Sequence, residues 1–227
     1  MKHLKILLMV VFLLGLGSSS VFAENQTWAD RDFNFKNINA VYLEEPMYSN
    51  DIEEENTQRL IEDTFYNGAD KLKNVEALSE RRMRGKLLRY KLTDIDAIAD
   101  EAERQKVWQD AVNEYAEVII TEEIQEYWID KVWQEPRYYT TTEYHDYSYW
   151  KDGKYYEIKV PYEEEHWVDG YYRYNAHIKV KFEVFSTKDN RMVYTYVDYR
   201  EAEKDLIDMY GRIVKDFYSG FNKQLKK

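Results

Sequence analysis

The chain has no cysteine in 227 residues. That excludes a disulfide framework, a thiolate nucleophile and any zinc or iron–sulfur site built on thiolates. It also excludes the lipid anchor that bacterial lipoproteins attach to a cysteine directly after their leader. Prolines number three and glycines eight, too few for a collagen-like segment or a disordered stalk. Positive charge is in deficit: 32 Lys and Arg face 43 Asp and Glu, a net charge of −11. A chain so acidic lacks the basic face that nucleic acid requires and is repelled by anionic membrane surfaces. Long apolar runs are missing after residue 16, so no later segment is expected to anchor in a bilayer.

The one apolar run lies at the start. Lys2 and Lys5 precede an apolar stretch from Leu7 to Leu16, followed by three serines and Val21-Phe22-Ala23. This pattern predicts a secretion signal over residues 1–23, cleaved before Glu24. Its loss removes two lysines and no acid, taking the net charge from −11 to −13. The expected product is exported, periplasmic or extracellular, and not inserted in a membrane after cleavage.

Residues 24–36 are polar with scattered aromatics and read as an N-terminal arm. Residues 37–227 read as one α+β domain. A strand is expected over Ile38–Leu43. A helix follows, with a capping-box spacing at Asn50 and Glu53 and an apolar face through Leu60, Ile61, Phe65 and Leu72. A second helix is expected from about Thr93, its stripe including Trp108, Ala111 and Val112. From Val118 the period changes to that of a strand, through Trp133. Residues 138–174 then hold 11 of the 22 tyrosines, punctuated by Asp152-Gly153 and Asp169-Gly170. Asp-Gly between extended runs signals a type I′ hairpin, so two hairpins are expected. Pro161 inside one run implies a bulge, a break or an edge position. Ile178, Val180, Phe182 and Val184 alternate with polar residues as a half-buried strand does. Met192–Tyr199 returns, and a helix is expected over about Glu201–Phe221. The fold class is therefore α+β: a two-layer sandwich in which helices cover one face of a mostly antiparallel, twisted sheet, with a Tyr-rich hairpin extension.

Two surfaces could carry function. The first is aromatic: Tyr138, Tyr139, Tyr144, Tyr147, Tyr149, Trp150, Tyr155, Tyr156, Trp167, Tyr171 and Tyr172, within a region that also holds Tyr162 and Tyr174. Exposed tyrosines offer wide, stiff contact area with a polar tip, suited to protein interfaces and sugar rings. The plainer reading is cross-strand aromatic pairing that holds a ribbon together. The second is basic: Arg81, Arg82, Arg84, Lys86 and Arg89, with Lys91 beside them. It could contact phosphate or an acidic partner, or be an ordinary solvated face paired with nearby acids. Glu163, Glu164, Glu165 and His166, with His145 and His177, lack the spacing of a metal site and also read as an acidic strand edge. No P-loop, G-x-G-x-x-G or G-x-S-x-G occurs, so neither catalytic residues nor a cofactor is expected.

The ordering of Phe33, Ala40-Val41-Tyr42, helices, Ala116-Glu117-Val118-Ile119-Ile120, a tyrosine-rich stretch and the Ile178–Tyr199 strand pair resembles Tyr-rich bacterial cell-envelope α/β domains of unknown function. More remotely it is similar to curli-secretion-type and penicillin-binding-protein-activator lipoprotein domains. The resemblance spans most of residues 33–221, departs from those lipoproteins in lacking the lipidated cysteine, and implies a non-catalytic envelope role. The expected function is a secreted or periplasmic binding or assembly protein that contacts an envelope protein or polymer through the Tyr-rich sheet. The alternative is an extracellular carbohydrate-binding module or a weakly marked hydrolase. Mass spectrometry of the exported protein is expected to give Glu24 as its first residue; an intact Lys2–Leu16 segment would refute the cleavage.

Overall fold

The computed structural model describes residues 22–226, and side chains from Glu24 onward. The expected signal lies outside the described residues, apart from Phe22 and Ala23. The chain divides into two compact units, residues 130–174 and the remainder, where the sequence reading took 37–227 as one domain.

The larger unit opens with β1 (Phe22–Ala29), which pairs antiparallel with β8 (Arg191–Ala202) from Phe22↔Glu201 to Ala29↔Tyr194. The expected arm is thus in its first half an edge strand. Residues 24–28 are all exposed, so the strand rests on its ladder rather than on burial and leaves no apolar alternation to read. β2 (Ala40–Leu43) lies parallel to both β3 (Glu76–Leu78) and β4 (Val118–Gln134). β7 (Tyr171–Ser186) completes the sheet, in the order β1-β8-β7-β4-β2-β3. Thr187, just past β7, donates its N–H to the carbonyl of Glu117 at the start of β4, so those neighbours run in opposite directions.

Two α-helices and the strands β2, β4, β7 and β8 supply most of the main core. Helices α1 (Glu55–Gly68) and α4 (Leu206–Gln224) lie over one face of the sheet. Asp205 caps α4 by accepting from the N–H of Ile207 at 2.8 Å, which places the start five residues after the expected Glu201. Phe182 of β7 stacks on Phe217 of α4 with centroids 4.1 Å apart and also meets Phe65 of α1. The end of α1 approaches α4 so closely that a Cβ on Gly68 would fall 2.6 Å from Val214 Cγ1 and from Tyr218 Cε2. Glycine there is a packing requirement rather than a weak point in the helix.

The stripe of the second expected helix, Trp108, Ala111 and Val112, does not enter this core. They belong to α3 (Glu101–Tyr115), capped by Asp100, and form a second cluster with Met83 of α2 (Glu80–Lys86), Leu78, Ala40 and Tyr42. β2 explains the split. Val41 and Leu43 enter the large core, while the alternate residues Ala40 and Tyr42 enter the small one. A four-residue strand buried on both sides is uniformly apolar and does not reveal that it divides two interiors. In β4 the alternation also slips. Ile124 and Tyr127, three apart, both meet the core, whereas Trp128 stacks on His177, whose neighbours Ala176 and Ile178 are core residues.

Glu122 is the costly residue of the core. It is fully buried on β4, and neither carboxyl oxygen has a hydrogen-bond partner. Burial raises its pKa from 4.5 to about 8, and the nearby Tyr210 hydroxyl, which donates to the Ile61 carbonyl, opposes this only in part. The folded protein therefore holds a proton that the unfolded chain releases above its ordinary pKa. The contribution of this group to stability is full below about pH 4.5 and is lost as pH rises toward 8. Glu122→Gln is expected to flatten that slope and to stabilise the protein at pH 7 by roughly 3 kcal/mol, at about 1.4 kcal/mol per pKa unit; urea titrations from pH 5 to 8 that show parallel slopes for both proteins would refute it. Phe182→Ala is expected to cost about 3–5 kcal/mol in the same assay, and a loss under about 1 kcal/mol would contradict the packing.

Candidate functional site

The smaller unit is dominated by a hairpin, β5 (Arg137–Lys151) and β6 (Lys154–Val168), paired without a break from Arg137↔Val168 to Lys151↔Lys154. Its turn is Asp152-Gly153, with φ of 50° and 74°. Two successive positive φ values define the type I′ turn expected there, and its twist matches the flanking strands. Pro161 needs no bulge; it sits in register opposite Tyr144. The second expected hairpin is corrected. β6 and β7 do not pair, and Gly170 is not in the positive-φ region. Asp169 instead accepts a 2.7 Å hydrogen bond from the Trp167 indole N–H. A Cβ on Gly170 would lie 2.3 Å from Trp133 Cζ2, so that glycine serves close approach, not a turn.

The register sorts the aromatic residues, because directly paired residues of antiparallel strands share a face. On one face lie Tyr139, Tyr147, Tyr149 and Tyr156, joined by Ile158, Val160 and Tyr162. Tyr149 stacks on Tyr156 at 5.4 Å, Tyr147 meets Tyr149 at 6.2 Å, and His145 meets Tyr162 edge-on at 5.5 Å. Ile158 and Val160, 43% and 41% exposed, bridge the tyrosines at the turn end to Tyr162. The opposite face is aromatic only at its ends and centre. Tyr138 packs on Trp167 at 4.6 Å, Trp150 on Tyr155 at 5.6 Å, and Tyr144 stands alone among Thr142, Asp146, Lys159 and Glu163. Tyr171 and Tyr172 belong to β7, where Tyr172 meets Trp133 at 4.9 Å and the Lys131 ammonium lies 4.0 Å from its ring.

The eleven aromatics named from the sequence thus form three groups rather than one surface. The continuous stripe also needs Tyr162, together with Ile158 and Val160, which a count of aromatics does not include. Their signal was present as the period-two run Tyr156, Ile158, Val160, Tyr162.

The basic cluster is largely tied up. Arg84 donates to Glu80 at 2.7 Å and to Asp96, and stands 5.7 Å from the Trp108 ring. Lys86 pairs with Glu76 at 2.9 Å, and Lys91 with Glu114 at 2.9 Å. Arg82 donates to the Ala77 carbonyl. The adjoining cleft, about 710 Å³, sets Arg81, Arg82 and Arg84 against Glu45, Glu62, Asp63, Asp70 and Glu80. Its charge balance is acidic and gives an anion little reason to enter. Arg89 lies on the turn of π-helix that follows α2.

Among the described residues no three His, Asp or Glu side chains converge as a metal site would require. Glu163, Glu164 and Glu165 alternate between faces, and His166 Nε2 shares a 2.8 Å hydrogen bond with Thr141. His177, in the larger unit, is buried against Trp128 and bonded through Nδ1 to the Tyr199 hydroxyl at 3.0 Å. No helix among the described residues is long and apolar enough to cross a membrane.

No family model and no curated protein matches the chain. Among solved structures, it is similar to PelC of Paraburkholderia phytofirmans, described as a dodecamer, at 10% identity over 88% of this chain and 98% of that one, with a TM-score of 0.47. A DUF4136 family protein from Bacteroides thetaiotaomicron gives 10% identity, 88% and 96% coverage and a TM-score of 0.38. Lipoprotein GNA1162 from Neisseria meningitidis gives 7% identity, 81% and 98% coverage and a TM-score of 0.37.

Proposed function

We propose that the chain is a non-catalytic binding or assembly protein of a bacterial cell envelope, and that it contacts its partner through one face of the β5–β6 hairpin. One observation carries the reading: Tyr147, Tyr149, Tyr156, Ile158, Val160 and Tyr162 form a continuous exposed stripe on one face, while the other face between its ends is polar except at Tyr144 and Pro161. Cross-strand pairing accounts for some of these contacts, but pairing alone does not require that one face be aliphatic and aromatic and the other charged. Monomeric proteins seldom leave contiguous apolar patches above a few hundred Å² without a use. The export signal read from residues 1–23 and the sequence resemblance to envelope domains supply the compartment. The partner is an envelope protein or polymer.

The stacked Tyr149–Tyr156 pair favours one second reading, a carbohydrate-binding surface, since parallel rings suit the faces of sugar rings. Tyr156→Ser with Tyr162→Ser is expected to lower capture of the partner from solubilised envelope at least tenfold, with far-UV circular dichroism unchanged. Tyr155→Ser, on the other face, is expected to leave capture within twofold. Equal loss in both variants, or none in the first, would overturn the assignment of the face. Binding on a glycan array that disappears in the same double variant would decide for the carbohydrate reading.

A further inference from the structure

The hairpin has two open edges, and they are built differently. Lys151 and Lys154 flank a two-residue type I′ turn and are therefore a hydrogen-bonded pair. Pairs alternate from there, so the odd-numbered residues of β5 bond to β6, while the even-numbered residues turn their N–H and C=O groups outward. On β6 the corresponding outward position opposite Tyr144 is Pro161, which has no N–H to offer, and Glu163, Glu164 and Glu165 follow it. Proline and a run of like charge are the usual guards of an open edge. β5 has neither between Tyr138 and Trp150.

β5 is also partly self-complementary about Tyr144, the pairs Thr142 with Asp146 and Thr141 with Tyr147 excepted. Counting outward, Glu143 matches His145, Thr140 matches Ser148, Tyr139 matches Tyr149 and Tyr138 matches Trp150. We infer that β5 pairs antiparallel with β5 of a second copy of this chain, on a two-fold axis through Tyr144, joining two hairpins into one four-stranded sheet. The register follows from chemistry. Tyr144 opposes its own copy as a hydrogen-bonded pair, matching its outward backbone groups. Glu143 then faces His145 of the second copy, a carboxylate acceptor opposite an imidazole donor. Tyr139 faces Tyr149, and Tyr138 faces Trp150, aromatic pairs of the kind that stabilise antiparallel strands. Sliding the strands by two residues loses the Glu143–His145 and Tyr138–Trp150 matches and keeps at most one tyrosine pair, Tyr139 with Tyr147. The surface is the strand's edge, not the Tyr156–Tyr162 stripe, so the inference stands apart from the function proposed above.

The absence of cysteine makes the test clean. Hydrogen-bonded antiparallel partners have Cα atoms about 5.5 Å apart, within disulfide range. In the full exported chain, Tyr144→Cys under copper-phenanthroline oxidation is expected to give a covalent dimer at least tenfold faster than Glu163→Cys on the guarded edge. Adding His145→Glu to Tyr144→Cys sets carboxylate against carboxylate and is expected to slow cross-linking at least tenfold; adding Glu143→His as well restores the match and the rate. Sedimentation of the unsubstituted chain is expected to show a concentration-dependent dimer. A Tyr144→Cys protein of native circular dichroism that stays monomeric, a Glu163→Cys protein that cross-links as fast, or failure of the charge swap to restore the rate would overturn the proposal. Partner capture by a Thr142→Pro chain, which removes an outward N–H from the open edge on the face away from the stripe, reads the other surface separately: its retention alongside loss of the dimer leaves the proposed function intact.

Discussion

The turn at Asp152-Gly153 is the constraint on which the hairpin depends. Both residues hold positive φ, and together they fix which residue of β5 opposes which residue of β6 over fifteen pairs. A slip of one residue on either strand would move that strand's side chains to the other face, scattering the stripe of tyrosines and exchanging it for threonine, aspartate and lysine. Everything the hairpin presents, on its faces and along its edges, is set by two residues at its tip. Aspartate tolerates the left-handed region through its short polar side chain, and glycine enters it without steric cost.

The two units are stabilised in different ways. The larger unit buries stacked phenylalanines between sheet and helices and ties β8 to α4 through Arg200, which donates to the fully buried Asp198 and to Asp216 at 2.8 Å. The hairpin has no comparable interior, and nearly every side chain on it is exposed or half-buried. Two-stranded ribbons are marginal in water. Ring contacts such as Tyr138–Trp167 at one end and Trp150–Tyr155 at the other therefore serve cohesion. On the stripe face the stacked Tyr149–Tyr156 pair serves cohesion as well, so structural and proposed binding roles coincide in those two residues.

What could be read from the residues tracks what burial imposes on them. Ile178 to Val184 alternates because one side of β7 faces the core, and the strand was legible for that reason. The α+β class, the first hairpin turn and the buried stripe of α4 were legible in the same way. β1 was not, since an exposed edge strand is held by backbone bonds and any polar residue satisfies it. The two-sided burial of β2 was hidden because a uniformly apolar strand says nothing about what lies on either side. Asp169-Gly170 misled, having the composition of a turn while Asp169 serves the Trp167 indole. The basic cluster left two readings open: its acids Glu76, Asp96 and Glu114 lie elsewhere in the chain, and only folding brings them to Arg84, Lys86 and Lys91.

Pro161 has a further consequence. A ribbon open on both sides can recruit copies without end, each newcomer exposing a fresh template, and such growth ends in fibres. A missing amide proton at mid-strand, followed by three consecutive carboxylates, makes one side of this ribbon a terminus. Any sheet it joins can gain strands from one direction only. Two ribbons meeting by their receptive sides would leave only terminated sides facing water, and the assembly would be closed at that size.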